Sequence, residues 1–291
     1  MSESGAQQQE AGAGETSGKS ESRINRPGTV PTHYVGLGAS AGGLEALEKF
    51  LAAVPENSRA TYIIVQHMSP DFRSIMSDLL ERFTSLPIKQ AEDNERMLPG
   101  HVYLIPPGKI LFSKQGMLSL EDRPPSRGHI TVIDRFLKSL AEDVGERAIG
   151  VILSGTGSDG TEGCRAVHEA GGMVFAQDKD SAKFESMPAS VDASGVADFV
   201  LPPEAIPPKI AEVSGETEPG TRYSLSEDEE SVGKICSLLE ETTGNQFSSY
   251  KRPTLMRRIE RRMMITTASD GPQYLQRLRE DPQEVDSLIK D

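Results

Sequence analysis

The sequence predicts an α/β fold, a mostly parallel, doubly wound sheet followed by a small all-α domain. Three observations lead there. Between His33 and about Val213, short β-branched runs alternate with helical patterns, as βαβ units do. Two of those runs end in glycine-rich turns that open into helical patterns, Gly38-Ala39-Ser40-Ala41-Gly42 and Gly155-Thr156-Gly157-Ser158-Asp159-Gly160. Beyond about Ser226 the strand pattern stops, and apolar residues recur only at helical spacing.

In chain order, residues 1–31 are Ser, Gly, Gln and Glu with almost nothing apolar to bury, which predicts a disordered tail. The α/β domain is expected over 32–213. Its strands are Tyr34 to Leu37, Thr61 to Gln66, Ala148 to Leu153, Met173 to Ala176 and Asp198 to Leu201. Leu44, Leu47, Phe50 and Leu51 mark one covering helix, and Phe136, Leu137, Leu140 and Val144 another. His101 to Ile105, the Pro106-Pro107-Gly108 turn and Ile110 to Leu120 around Gly116 read as a small antiparallel excursion at a sheet edge. Residues 214–226, rich in Gly, Glu, Pro, Thr and Ser, read as a linker. Three helices are expected in 227–291, on Val232, Ile235, Leu238 and Leu239, on Leu255, Ile259 and Met263, and on Tyr274, Leu275 and Leu278.

Composition removes several classes of function. With 44 acidic against 31 basic residues the formal charge is −13, which disfavours nucleic acid as a partner for the whole chain. The two cysteines, Cys164 and Cys236, lie far apart in dissimilar contexts and suggest neither a disulfide framework nor a zinc site. No run approaches the roughly 18 apolar residues of a membrane span, and the N-terminus lacks a secretory signal pattern. A soluble protein of the reducing cytoplasm is expected, without membrane insertion.

Ser40 lies on a strand-to-helix turn of the Gly-x-Ser-x-Gly type, where small neighbours let a serine hydroxyl project outward as a nucleophile. Free amides at the start of the following helix suit an oxyanion. The same stretch, Gly36-Leu37-Gly38-Ala39-Ser40-Ala41, also fits a dinucleotide phosphate loop, and the local pattern leaves both readings open. The next strand separates them. A dinucleotide site wants a carboxylate near its end, and here it ends Ile64-Val65-Gln66-His67. His67 is misplaced for a ribose and well placed as a general base. His33, His101, His129 and His168 lack that strand-end position, although His129 could line a cleft. Asp159 could orient the histidine and stabilise its imidazolium, while taken alone it reads more readily as a helix cap. Ser40, His67 and Asp159 all fall at C-terminal ends of expected parallel strands, where one cleft can hold them.

Residues 33 to about 213 resemble the catalytic domain of the chemotaxis protein-glutamate methylesterases, the CheB family. The resemblance rests on Gly36 to Gly43, Val65-Gln66-His67-Met68, Ala91-Glu92-Asp93, Leu98 to Tyr103, Gly150 to Gly160 and Met187-Pro188-Ala189, in order and at matching spacing. It implies Ser40 as nucleophile, His67 as base and Asp159 as its partner. The implied reaction is hydrolysis of glutamate γ-methyl esters on the cytoplasmic part of methylated chemoreceptors, with release of methanol and without metal or organic cofactor. Deamidation of receptor glutamines by the same nucleophile is a secondary expectation. Two positions depart from the family pattern: Ala41 stands where Thr is frequent, and Thr156 where the best-known enzymes have Met. Ala41, Thr156 and Gly157 still offer backbone amides to an oxyanion or line the cleft.

The family's usual phosphoacceptor receiver domain has no counterpart in residues 1–31, so activation by phosphorylation of an attached receiver is not expected. From about Ser226 the chain resembles the helical N-terminal part of the opposing CheR methyltransferases, through Phe247 to Arg252 and Leu255 to Met263. The resemblance therefore implies a truncated methylesterase–methyltransferase fusion without methyl-transfer activity. Lys251, Arg252, Arg257, Arg258, Arg261 and Arg262 form a basic cluster suited to an acidic receptor segment, or else a solvated helix face. A second reading of the whole chain is a catalytically weak fragment that docks on receptors.

Overall fold

A computed structural model of the chain describes residues 30–66, 75–124, 130–215, 225, 228–245, 247 and 252–290. Its centre is a seven-stranded sheet. β1 (Tyr34–Ala39), β2 (Thr61–Gln66), β3 (Ile88–Gln90), β5 (Val102–Leu104), β8 (Ala148–Ile152), β9 (Met173–Gln177) and β10 (Phe199–Leu201) lie in the order β10-β9-β8-β1-β2-β5-β3. Every pairing is parallel. Within the central strands, alternate residues enter two apolar clusters: Val35, Leu37 and Ala39 face one side, Tyr34 the other, with Ile63 and Val65 opposed to Tyr62 and Ile64 in β2. Both faces are thus covered, which is why these strands read as continuous apolar runs.

One face is covered by α1 (Gly43–Ala52), α2 (Ile75–Leu80) and α6 (Ile206–Val213), the other by α3 (Val132–Val144), α4 (Thr161–Glu169) and α5 (Ser186–Ala193). α3 comes unusually close to β1. A Cβ on Gly38 would lie 2.5 Å from Cγ2 of Ile133, so glycine is required there for the helix to seat. This contact fixes the start of α3 beneath the C-terminal end of β1.

One expectation is corrected. Val102–Leu104 belongs to the parallel sheet between β2 and β3, not to an antiparallel excursion, because all its residues are buried and its backbone pairs on both sides. The antiparallel part is a separate three-stranded sheet of β4 (Glu95–Arg96), β6 (Lys109–Lys114) and β7 (Met117–Asp122), with the β6–β7 hairpin turning at Gln115-Gly116. It rests on α3 through Ser113 and Gly116, whose hydroxyl and amide donate to Asp143 at 2.5 and 3.0 Å.

The C-terminal part contains α7 (Glu229–Thr243), α8 (Arg252–Ile265), α9 (Gly271–Glu280) and α10 (Pro282–Lys290) around their own cluster of Ile235, Ile259, Tyr274 and Leu288. α10 was not among the expected helices. No helix among the described residues is long and apolar enough to cross a membrane.

Candidate active site

β1 ends at Ala39 and the chain turns at once into α1. Ser40 closes that turn, its carbonyl accepting from the Gly43 amide at 2.9 Å, and Gly42 takes a φ of 71°. The turn is tied to the end of the neighbouring strand β8 from two directions. The Ser40 amide donates to the carbonyl of Ser154 at 3.0 Å, and the Ser154 hydroxyl donates to the carbonyl of Ala41 at 3.0 Å. Ser154 is itself held through its amide by Oε1 of Gln177 at 2.8 Å, at the end of β9. A Cβ on Gly155 would fall 3.0 Å from Cβ of Ser40, so the two glycine-rich turns are in van der Waals contact. Ser40 and Ala41 are half-buried, whereas Thr156 and Gly157 are exposed. Because the Ser40 amide is already spent on Ser154, the amides of Ala41, Thr156 and Gly157 are the better oxyanion candidates.

The order of strands gives this contact its setting. β1 lies between β2 and β8, and the chain runs outward on one side through β2, then on the other through β8, β9 and β10. Such a reversal opens a crevice at the carboxyl ends of the strands. Ala39 pairs in register with Gln66, so Ser40 and His67 are the residues that follow a registered pair at the ends of adjacent strands. His67 itself lies outside the described residues, as do His129 and Lys251. His33 precedes β1 and His101 precedes β5, where its Nδ1 is 2.9 Å from the carbonyl of Pro99. Both are at the amino ends of strands, away from Ser40.

Asp159 sits in the turn between β8 and α4, 8% exposed. Its carboxylate accepts from the amides of Ile133 at 3.1 Å and Asp134 at 3.0 Å. It therefore caps the first turn of α3, and the helix that follows it, α4, has Gly160 as its N-cap, with a φ of 102° that favours glycine. Sequence reasoning missed Asp134. It is 7% exposed and accepts at Oδ1 from the amides of Gly160 and Gly163 at 2.9 and 2.8 Å. Burial pushes its carboxyl above the usual carboxylate range, the two amides offset part of that, and the adjacent Asp159 charge adds to it.

The family model for the CheB methylesterase matches residues 35–210. The chain belongs to the CheB methylesterase family. Residues 230–291 match the all-alpha domain of the CheR methyltransferase. A protein-glutamate methylesterase/protein-glutamine glutaminase of Myxococcus xanthus is 35% identical over 62% of this chain and 54% of its own length, and one of Pectobacterium atrosepticum is 37% identical over 57% and 49%. An uncharacterized 104.1 kDa protein of Rhodobacter capsulatus is 36% identical over 74% of this chain and 25% of its own length. The chain thus spans about half the length of these methylesterase relatives and a quarter of the longer protein. The crystal structure of the Thermotoga maritima CheB methylesterase catalytic domain superposes with a TM-score of 0.58 at 35% identity, covering 62% of this chain and 98% of that one.

In this CheB-family chain the basic cluster of α8 is divided among several tasks. Arg261 is 2% exposed and donates from Nη2 to both oxygens of Asp198 at 2.7 and 2.8 Å, with Nδ1 of His168 at 2.7 Å. Arg262 is bound to Glu284 through Nε and Nη2 at 2.9 and 2.5 Å. Arg257 lies against Gly171, where a Cβ would be 2.7 Å from its Nε. Arg258 lines a cleft between the two parts together with Arg165 and His168. Arg252 is exposed, 3.3 Å from Glu229. The CheR-like helices are thereby held where α4 ends and β9 and β10 begin, whereas Ser40 and Asp159 follow the opposite, carboxyl ends of β1 and β8.

Proposed function

We propose that this chain hydrolyses glutamate γ-methyl esters on chemoreceptors, with Ser40 as nucleophile, His67 as general base and Asp159 as the carboxylate that orients it. The observation that carries the reading is the joining of the Ser40 turn to the Ser154–Gly160 turn at the carboxyl ends of β1 and β8, beside the registered Ala39–Gln66 pair that His67 follows in sequence. The relatives named protein-glutamate methylesterase support the substrate.

In this mechanism the Ser40 hydroxyl gives its proton to His67 as Oγ bonds to the ester carbonyl carbon. In this reading the oxyanion is met by amides from Ala41 and from Thr156 or Gly157, donors of the kind that stabilise such a charge. The imidazolium returns the proton to the departing methoxide, which leaves as methanol. Water, deprotonated by His67, then attacks the acyl-serine and restores Ser40 and a glutamate. An amide carbonyl fits the same centre, so receptor glutamine is the second substrate. Phe184, 40% exposed, stands beside the turn, with its ring 3.0 Å from a Cβ built on Gly42, and offers an apolar surface for the substrate chain.

The division that goes with this reading is a catalytic domain over 32–213, a linker over 214–226 and an all-α domain over 227–291, acting in the cytoplasm on the receptor's acidic modification segments. In this reading Arg252 and Arg258 are the members of the basic cluster that meet such a segment. The test is methanol release from a methyl-labelled receptor cytoplasmic fragment by the chain and by Ser40→Ala. Release lost in the variant supports the reading. Equal release, or none with receptor binding kept, replaces it with the docking fragment.

A further inference from the structure

We propose that Asp134 is a positioning residue of the esterase centre, holding the turn that carries Asp159 while its own helix holds the Asp159 carboxylate. This rests on the assignment of Asp159 to the triad.

The two aspartates cap each other's helices. Asp159 accepts from the amides of Ile133 and Asp134 in the first turn of α3, and Asp134 accepts from the amides of Gly160 and Gly163 at the start of α4. First-turn amides have no partner within their own helix, so each helix relies on the carboxylate of the other. A local alternative exists and is not used: Thr131 occupies the N-cap position of α3, a favoured capping residue, and its side chain makes no cap hydrogen bond. Gly160, the N-cap of α4, has no side chain to offer. The helices meet backbone to backbone here, since a Cβ on Gly163 would lie 3.0 Å from Cα of Asp134.

The consequence is geometric. Asp159 cannot rotate or slide without surrendering two hydrogen bonds to α3, and the turn bearing it cannot lift without surrendering two to Asp134. Ile133, whose amide reaches Asp159, also packs against Gly38 two residues before Ser40. One helix start therefore references both the nucleophile's strand and the acid's carboxylate. Two adjacent buried carboxylates repel each other, and a fold that needed only helix caps would gain by separating them. Their retention as neighbours fits a demand for a fixed Asp159.

The experiment compares Asp134→Asn, Asp134→Glu and Asp134→Ala in the full chain, by the pH profile of methyl-ester hydrolysis and by the rate at which a fluorophosphonate labels Ser40. Asn keeps an acceptor oxygen for Gly160 and Gly163, so its kcat should stay within about threefold of the parent. Glu keeps the charge but displaces the oxygen, and Ala removes it. For both, a misplacement of about 1 Å predicts a kcat loss of about tenfold to a hundredfold with KM little changed. Moving the Asp159 carboxylate from the imidazole should also shift the acid limb of the profile to lower pH, which a loss of stability alone would not do. Should Ala fail to fold, the Asn and Glu pair decides. Glu with parental kcat and parental acid limb overturns the proposal, as does Asn falling as far as Glu. If the parent releases no methanol, the esterase reading fails, and Ser40 labelling still ranks the three variants.

Discussion

Replacing Arg261 with methionine should loosen the CheR-like helices from the CheB-family part without touching the chemistry. Its guanidinium and the Asp198 carboxylate are each 3% exposed, and Asp198 also accepts from the Val174 amide at 2.8 Å. Nδ1 of His168 lies 2.7 Å from the arginine's Nη2. Arg261→Met removes the guanidinium from a buried carboxylate that keeps the Val174 amide as a donor. Breaking a buried pair from one side costs about 3–5 kcal/mol. At about 1.4 kcal/mol per decade, that displaces the docking equilibrium by roughly two to four powers of ten. Removing both charges, in Arg261→Met with Asp198→Leu, should recover most of the loss, because apolar replacements of a whole buried pair are often neutral. Urea unfolding, with hydrogen exchange at the ends of α4 and α8, reads the docking; ester hydrolysis reads the site. The single variant should unfold in two separated steps and keep its Ser40-dependent rate. A single variant within about 0.5 kcal/mol of the parent, the range of ordinary surface changes, would refute the reasoning.

Gly160→Ala should be costly twice over. A φ of 102° strains any side chain, and its Cβ would come within 2.4 Å of Ile152 Cδ1, so about 2 kcal/mol or more of destabilisation is expected together with loss of activity from a displaced Asp159; thermal melting and methanol release check both. At the start of α7, the hydroxyl and amide of Ser231 hold Asp228 below the usual carboxylate range. A carboxyl lowered in the folded state stabilises above its unfolded value of about 3.9 and loses that contribution as pH falls through the lowered one. Asp228→Ala should therefore cost stability at pH 7 and little at pH 2, as read by urea unfolding at the two values.

Much of the fold was legible because β1, β2, β8 and β9 are covered on both faces, so their residues are apolar almost without interruption and the runs stand out. The Ser40 and Asp159 turns were legible for a related reason: a strand passing directly into a helix needs small residues at the corner. β5 was misassigned because three buried residues beside a proline turn do not say which strand they pair with. α10 escaped notice because it buries only Val285 and Leu288 among its apolar residues. Asp134 and Arg261 show a different limit. Asp134 accepts from a helix N-cap amide 26 residues later, and Arg261 meets an aspartate 63 residues away. Neither partnership leaves a mark in the local pattern. The run of basic residues on α8 is visible, yet which arginine turns inward is decided by Asp198.

The central claim is that Ser40, set at the junction of β1 and α1, performs ester hydrolysis. Methanol release from a methyl-labelled receptor cytoplasmic fragment, measured for the chain and for Ser40→Ala at matched concentration, tests it most directly. The account predicts release by the chain and loss of about a thousandfold or more in the variant, the scale seen when a triad nucleophile is removed. Release that survives the substitution, or none from either protein, would contradict it.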